Sequence, residues 1–139
     1  MPVFANAQDL RNVFGGFLHD VAKSELKGFS GSGMVLAYTV SEPEARFVID
    51  ARAPASPGSG FKVFIDDDSA PPASVDVILT GDVLDRMYGG ELNVMAAIAT
   101  GQIKSKGDQI SAVRLLPVMF RLVPLYKTFR ADYFAAHAR

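Results

Sequence analysis

The sequence predicts an α/β (α+β) fold in which a mostly antiparallel sheet of about five strands is covered on one face by helices. Three observations carry this expectation. Apolar residues recur with a period of 3.6 near the N-terminus, period two takes over in the middle, and helical spacing returns after residue 81. At 139 residues the chain is expected to form one domain, 1–139, long enough to bury a core.

The first helix is expected over about 6–24, because Leu10, Val13, Phe14, Phe17, Leu18 and Val21 fall on one face. Asn6 is its expected N-cap, with Asp9 near the positive end. Gly15 and Gly16 each cost a helix interior ~1 kcal/mol relative to Ala, so their expected use is close approach of another element. The helix should end before Gly28.

Strands are expected across about 34–80. Met34, Leu36, Tyr38 and Val40 alternate with Val35, Ala37, Thr39 and Ser41, following a Gly-Ser-Gly turn at 31–33. Glu42-Pro43-Glu44 turns the chain into ARFVIDA, and the loop at 53–60 leads to FKVFID. Short strands joined by Pro, Gly and Ser turns indicate an antiparallel meander, and VDVILT at 75–80 supplies a fourth strand.

Helices and a fifth strand are expected over 82–107. Asp82 is read as the cap of a helix over 83–88, stopped by Gly89-Gly90. Asn93 caps a second short helix, which Gly101 ends, and Gln102 to Lys106 reads as the strand. The last segment, 108–135, starts at a capping Asp108 and is apolar on nearly every side, an arrangement ordinarily buried or wrapped in lipid. Pro117 and Pro124 each remove a backbone donor and are expected to bend or break this helix.

Composition narrows the function. Apolar residues make up 49% of the chain and charged residues 21%, slightly below the usual ~25%, so there is apolar surface to spare. The absence of cysteine excludes disulfides, thiolate metal sites and a cysteine nucleophile. MPVFANAQDLRNVF lacks the pattern of a signal peptide, and no uncharged run approaches a membrane span, so a soluble cytoplasmic protein is expected. Charge is uneven. Residues 1–102 hold 7 Lys/Arg against 13 Asp/Glu, whereas 103–139 hold 7 Lys/Arg against only Asp108 and Asp132. Such asymmetry marks either a surface for an anionic partner or a dipolar chain with solvated charges.

Catalytic chemistry finds little support. His19 and His137 are isolated, and a metal centre wants three or four ligands. Asp66-Asp67-Asp68 stands at a strand end and reads as a solvated turn rather than a cation site. The Gly-Ser-Gly segments at 31–33 and 58–60 lack the Lys-Ser/Thr of a phosphate loop. No serine has a nucleophile-elbow context. The expectation is therefore a non-enzyme without metal, cofactor or nucleic-acid partner.

The run VDVILTGDVLDRMYGGELNVMAAIATGQIKSKGD resembles the signature of the sterol carrier protein type 2 family of lipid-binding domains. Thr80, Gly90, Glu91, Leu92, Asn93, Ala97, Gly101, Lys104, Lys106, Gly107 and Asp108 fall at matching positions. The match is specific from about 75 to 116. This sequence departs from the family pattern at Val94, where proline is usual, at Ile98, often phenylalanine, and at Ser105, usually apolar. Its tail beyond 116 is also longer and more apolar.

The resemblance implies an apolar tunnel between sheet and helices that takes a fatty acyl, sterol-like or isoprenoid lipid, for transfer or presentation. On that reading the tunnel is lined by Phe47, Leu84, Met87, Tyr88, Met95, Ile98, Ile103 and Ser105. From the final segment, Ile110, Val113, Leu116, Met119, Phe120 and Val123 join them, so that this segment acts as a lid. Arg114, Arg121, Lys127 and Arg130 would then meet an anionic membrane surface. The competing reading is a protein-interaction module or homodimer docked through the apolar tail. A further one is a lipid-presenting accessory in quinone or fatty-acid metabolism. An inward Ser105 hydroxyl would need a partner, and a lipid head group is one candidate.

Overall fold

The computed structural model describes residues 3–23, 34–52 and 61–136. The turns expected at 31–33 and within 53–60, the helix end before Gly28, and His137 lie outside these residues.

The N-terminal helix has three parts: α1 (Ala7–Leu10), a π-helical stretch (Arg11–Gly15) and α2 (Gly16–Lys23). Asn6 caps it as expected, its side chain accepting from the Asp9 N–H at 2.9 Å. The wider π turn lets three successive residues, Val13, Phe14 and Gly15, all be buried, which α-helical spacing does not anticipate. Both glycines mark close approaches. A Cβ on Gly15 would stand 2.6 Å from Ile65 Cδ1, and one on Gly16 would stand 3.0 Å from the Phe129 ring.

Five strands form one sheet: β1 (Val35–Ser41), β2 (Ala45–Asp50), β3 (Lys62–Ile65), β4 (Val75–Thr80) and β5 (Lys104–Gly107). Their order is β3-β2-β1-β4-β5. The first three make the expected antiparallel meander, and β5 is antiparallel to β4. The join of β1 to β4 is parallel, with Tyr38 opposite Val77. A parallel join needs a crossover. Residues 66–74 take the chain from β3 to β4, and Ala70 and Ala73 in that connection pack on Val35, Ala37 and Val48 on the sheet's outer face. Ser74 pins the crossover, accepting from Val35 N–H through its hydroxyl at 3.1 Å and donating its own N–H to Val35 O at 2.8 Å.

Helices cover the other face. After β4 come α3 (Gly81–Tyr88) and α4 (Val94–Ala99), and after β5 comes α5 (Gln109–Ala136). The expected cap at Asp82 is corrected. Thr80, still extended at the end of β4, caps α3 by accepting from Val83 N–H at 3.2 Å, so the helix starts directly at Gly81. Asp82 instead accepts from Val3 N–H at 3.0 Å and ties down the N-terminal segment. Asn93 caps α4 as read, accepting from Ala96 N–H at 3.1 Å. The fifth strand begins two residues later than expected, because Ile103 N–H bonds back to Ala97 O and belongs to the turn after α4.

Neither proline breaks α5, which runs unbroken for 28 residues. Pro117 and Pro124 both lie on its exposed side. The residues whose carbonyls they deprive of a donor, Val113 and Phe120, are exposed too, so solvent is available to replace the lost bond. No helix among the described residues is long and apolar enough to cross a membrane.

Gly107 ends β5 with φ +99°, and a Cβ there would press into the Ser74 carbonyl oxygen, a backbone atom that cannot swing aside. Gly107→Ala should destabilise the protein by about 1–3 kcal/mol from backbone strain alone, read as a lowered urea midpoint with unchanged slope.

Candidate functional site

Between the sheet and the helices the interior is filled by aromatic rings. Phe14 lies at their centre, 5.0 Å from the rings of Phe47 and Tyr88, 5.5 Å from Tyr38 and 6.3 Å from Tyr126. Phe17 adds contacts to Tyr126 at 5.2 Å and Tyr88 at 6.1 Å. Most of these pairs are edge-to-face, the favoured arrangement for ring quadrupoles. The Tyr38 and Tyr88 hydroxyls bond to each other at 2.6 Å. Burial pushes both phenols well above the ordinary range, so they stay protonated.

A second polar unit fastens α5 to α3. Asp85, buried, accepts from Tyr126 OH at 2.7 Å and from Arg130 at 2.8 Å. Arg130 also lies 3.8 Å from Glu91 and 5.7 Å from the centre of the Tyr126 ring. Burial, followed by the adjacent Asp85 charge, raises the Tyr126 phenol far above its usual range, which keeps it a donor. Arg130 is thus corrected from an outward-facing cation to an internal partner, because α5 turns it toward the only buried carboxylate among the described residues. The sequence reading missed this unit. Its one signal was a carboxylate at 85 flanked on the same helix by apolar Leu84 and Tyr88.

The residues expected to line a tunnel fall into three sets. Phe47, Leu84, Met87, Tyr88, Ile103 and Met119 belong to the packed core. Leu116, Val123 and Ser105 are half-buried. Met95, Ile98, Ile110, Val113 and Phe120 are exposed, Met95, Ile110 and Val113 by about two-thirds (64%, 67% and 65%). Of the two arrangements expected for this apolar segment, burial or a lipid cover, the exposed set excludes burial on every side. The inner face of α5 carries Met119, Leu122 and Tyr126, which dock on the core, and its outer face is left without a cover. The side chain of Leu115 lies outside the described set.

The two helices that carry the exposed groups are both tied to β5. The Ile103 to Ala97 bond ties α4 to the start of the strand, and Gln109 Nε2 donates to Ser105 O and Gly107 O, each at 3.3 Å, tying on the first turn of α5. Ser105 stands opposite Val77, on the face of the sheet that the helices cover. Its Oγ is buried and has no hydrogen-bond partner, alone in that respect among the described side chains. Burying a hydroxyl in this way costs about 1–3 kcal/mol.

Two hollows are of another kind. One lies on the outer face of the sheet, walled by Arg46, Asp66, Asp67 and Asp68, and the other at the β1–β2 turn, walled by Ser41, Glu42, Glu44 and Arg46. Asp66 is engaged there by Arg11 at 3.1 Å and by Arg46 N–H at 2.8 Å, and Asp67 caps its own turn by accepting from Ser69. The Ser69 hydroxyl and N–H hold the Asp67 carboxyl below its usual range. No group of three metal-ligating side chains is found among the described residues.

No family model matches the sequence, and no curated protein does either. Solved structures do match. The sterol carrier protein domain 2 of Helicoverpa armigera superposes with a TM-score of 0.66 at 16% identity, over 87% of this chain and 94% of that one. Sterol carrier protein 2 from Yarrowia lipolytica gives 0.54 at 15% identity, over 79% and 83% of the two chains. The UbiJ-SCP2 ubiquinone synthesis protein gives 0.51 at 18%, over 87% and 90%. At these identities the likeness establishes the fold.

The Asp85 unit gives a direct test of how α5 is held. Arg130→Ala leaves a buried carboxylate with only the tyrosine donor. Because Arg130 is itself one-fifth exposed, the expected loss is about 2–3 kcal/mol of unfolding free energy in urea. Arg114→Ala, on the exposed face of the same helix, should change stability by less than about 0.5 kcal/mol.

Proposed function

We propose that this sterol carrier protein 2 fold holds one long-chain lipid non-covalently beside β5, with the chain against α4 and the first half of α5. The polar end of the lipid sits on Ser105. The observation that carries this reading is the orphaned Ser105 hydroxyl, a buried donor opposite Val77 on the helix-covered face, on a fold shared with solved proteins named as sterol carriers. The aromatic centre is already filled by its own rings, so the lipid belongs at the β5 side, where apolar side chains stand half-buried or exposed.

The chemistry is simple. Ser105 Oγ–H donates to an acceptor at the lipid's polar end, either an acyl carboxylate or a quinone-type carbonyl. Leu116, half-buried on α5, and Met95 and Ile98 on α4 take the chain. About ten methylenes at ~0.8 kcal/mol each would give about 8 kcal/mol, near micromolar affinity before the cost of association. One hydrogen bond adds selectivity for the head group and little else. The protein acts as a carrier or presenter, with no covalent step.

Native mass spectrometry of freshly purified protein should show a lipid adduct, or uptake of added palmitate, and a bare mass under both conditions would overturn the reading. Ser105→Ala then tests the anchor. Palmitate affinity should fall about tenfold, an alkane probe of equal length should bind unchanged, and ligand-free stability should not fall. Unchanged palmitate affinity together with a stability loss would mean that water, not a lipid, satisfies the hydroxyl.

A further inference from the structure

We propose that the outer face of α5 is the surface through which the protein docks on an anionic lipid bilayer. The face is built by a seven-residue recurrence. Ile110, Pro117 and Pro124 form one row, Val113, Phe120 and Lys127 a second, and Arg114, Arg121 and Thr128 a third. Seven residues are 20° short of two full turns, so each row stays on one side of the helix. Every residue in the three rows is exposed, whereas Met119, Leu122 and Tyr126 on the opposite side are buried. The inner side is fully occupied by the core and the Asp85 unit, so rotation of the helix cannot bury the outer one.

Charge decides what covers this face. No Asp or Glu occurs between 109 and 131, and Arg114, Arg121 and Lys127 have no carboxylate partner among the described residues. A second copy of the chain, meeting through the same face, would set these cations against themselves with nothing to offset them. A bilayer carrying anionic head groups accepts both parts of the face at once. Phe120, 61% exposed, enters the acyl boundary with Ile110 and Val113, while the three cations stay at head-group level. The helix therefore lies in the plane of the membrane over about 27 Å, from 110 to 128. The lipid site proposed beside β5 lies next to its first turn, but docking does not depend on that site being occupied.

Flotation of the full chain with vesicles tests this. Binding to mixed phosphatidylglycerol and phosphatidylcholine vesicles should be about 100-fold tighter than to phosphatidylcholine alone, and should weaken as salt rises. Arg114→Glu with Arg121→Glu should abolish that preference. Phe120→Ser should lower binding to both vesicle types, and all three side chains are exposed enough for the fold to persist, checked by an unchanged urea midpoint. Equal binding to neutral vesicles, no binding at all, or wild-type binding by the double charge reversal would overturn the proposal. So would a concentration-dependent dimer in sedimentation that Phe120→Ser dissolves.

Discussion

The position of Phe14 is the constraint on which the rest of the molecule depends. Its ring touches β1 through Tyr38, β2 through Phe47, α3 through Tyr88 and α5 through Tyr126. Four elements far apart in sequence are therefore held by one side chain, and each contact is a ring edge or face with a preferred angle. The π-helical stretch makes this possible. It buries Gly15 beside Phe14, and the missing side chain lets the helix settle onto Ile65 of β3. Close packing of this kind permits few alternatives, since a packed interior tolerates neither voids nor overlap.

From that centre follows the two-sidedness of α5. Tyr126 reaches the aromatic cluster with its ring and Asp85 with its hydroxyl, and Arg130 one turn on completes the charge. Once those contacts set the rotation of the helix, its remaining apolar and basic residues have no choice but to face outward. A buried ion pair is a poor source of net stability, because desolvation offsets most of the attraction. Its use here is to specify rotation. A neutral, greasy contact would allow α5 to turn or slide, and the outer face would lose its composition.

The proposed lipid site lies at β5, the short edge strand to which α4 and α5 are tied. The central strands are closed off by rings, and the outer face and the β1–β2 turn present charged hollows. Among the described side chains the one buried polar atom without a partner is on β5, and both α4 and α5 are tied to that strand. The site is on this account the place where the core was left incomplete.

Much of the architecture was legible in local pattern. The period of 3.6 before residue 24, the alternation after 34, and the caps at Asn6 and Asn93 are read from residues close in sequence, and the structure reproduces them. So did the close approach at Gly15 and Gly16. Other features depend on partners that no local window contains. Thr80 displaces Asp82 as a cap because β4 is still extended there, and β4 lies beside β1 rather than β3 because a crossover packs on the outer face. Pro117 and Pro124 leave α5 whole only because they fall on its solvent side. The sequence by itself determined the order and type of most elements, since those preferences act over a few bonds. Which face of α5 is outward, where Arg130 points, and that Ser105 is buried without a partner were decided by tertiary structure, because each is settled by contacts between residues tens of positions apart.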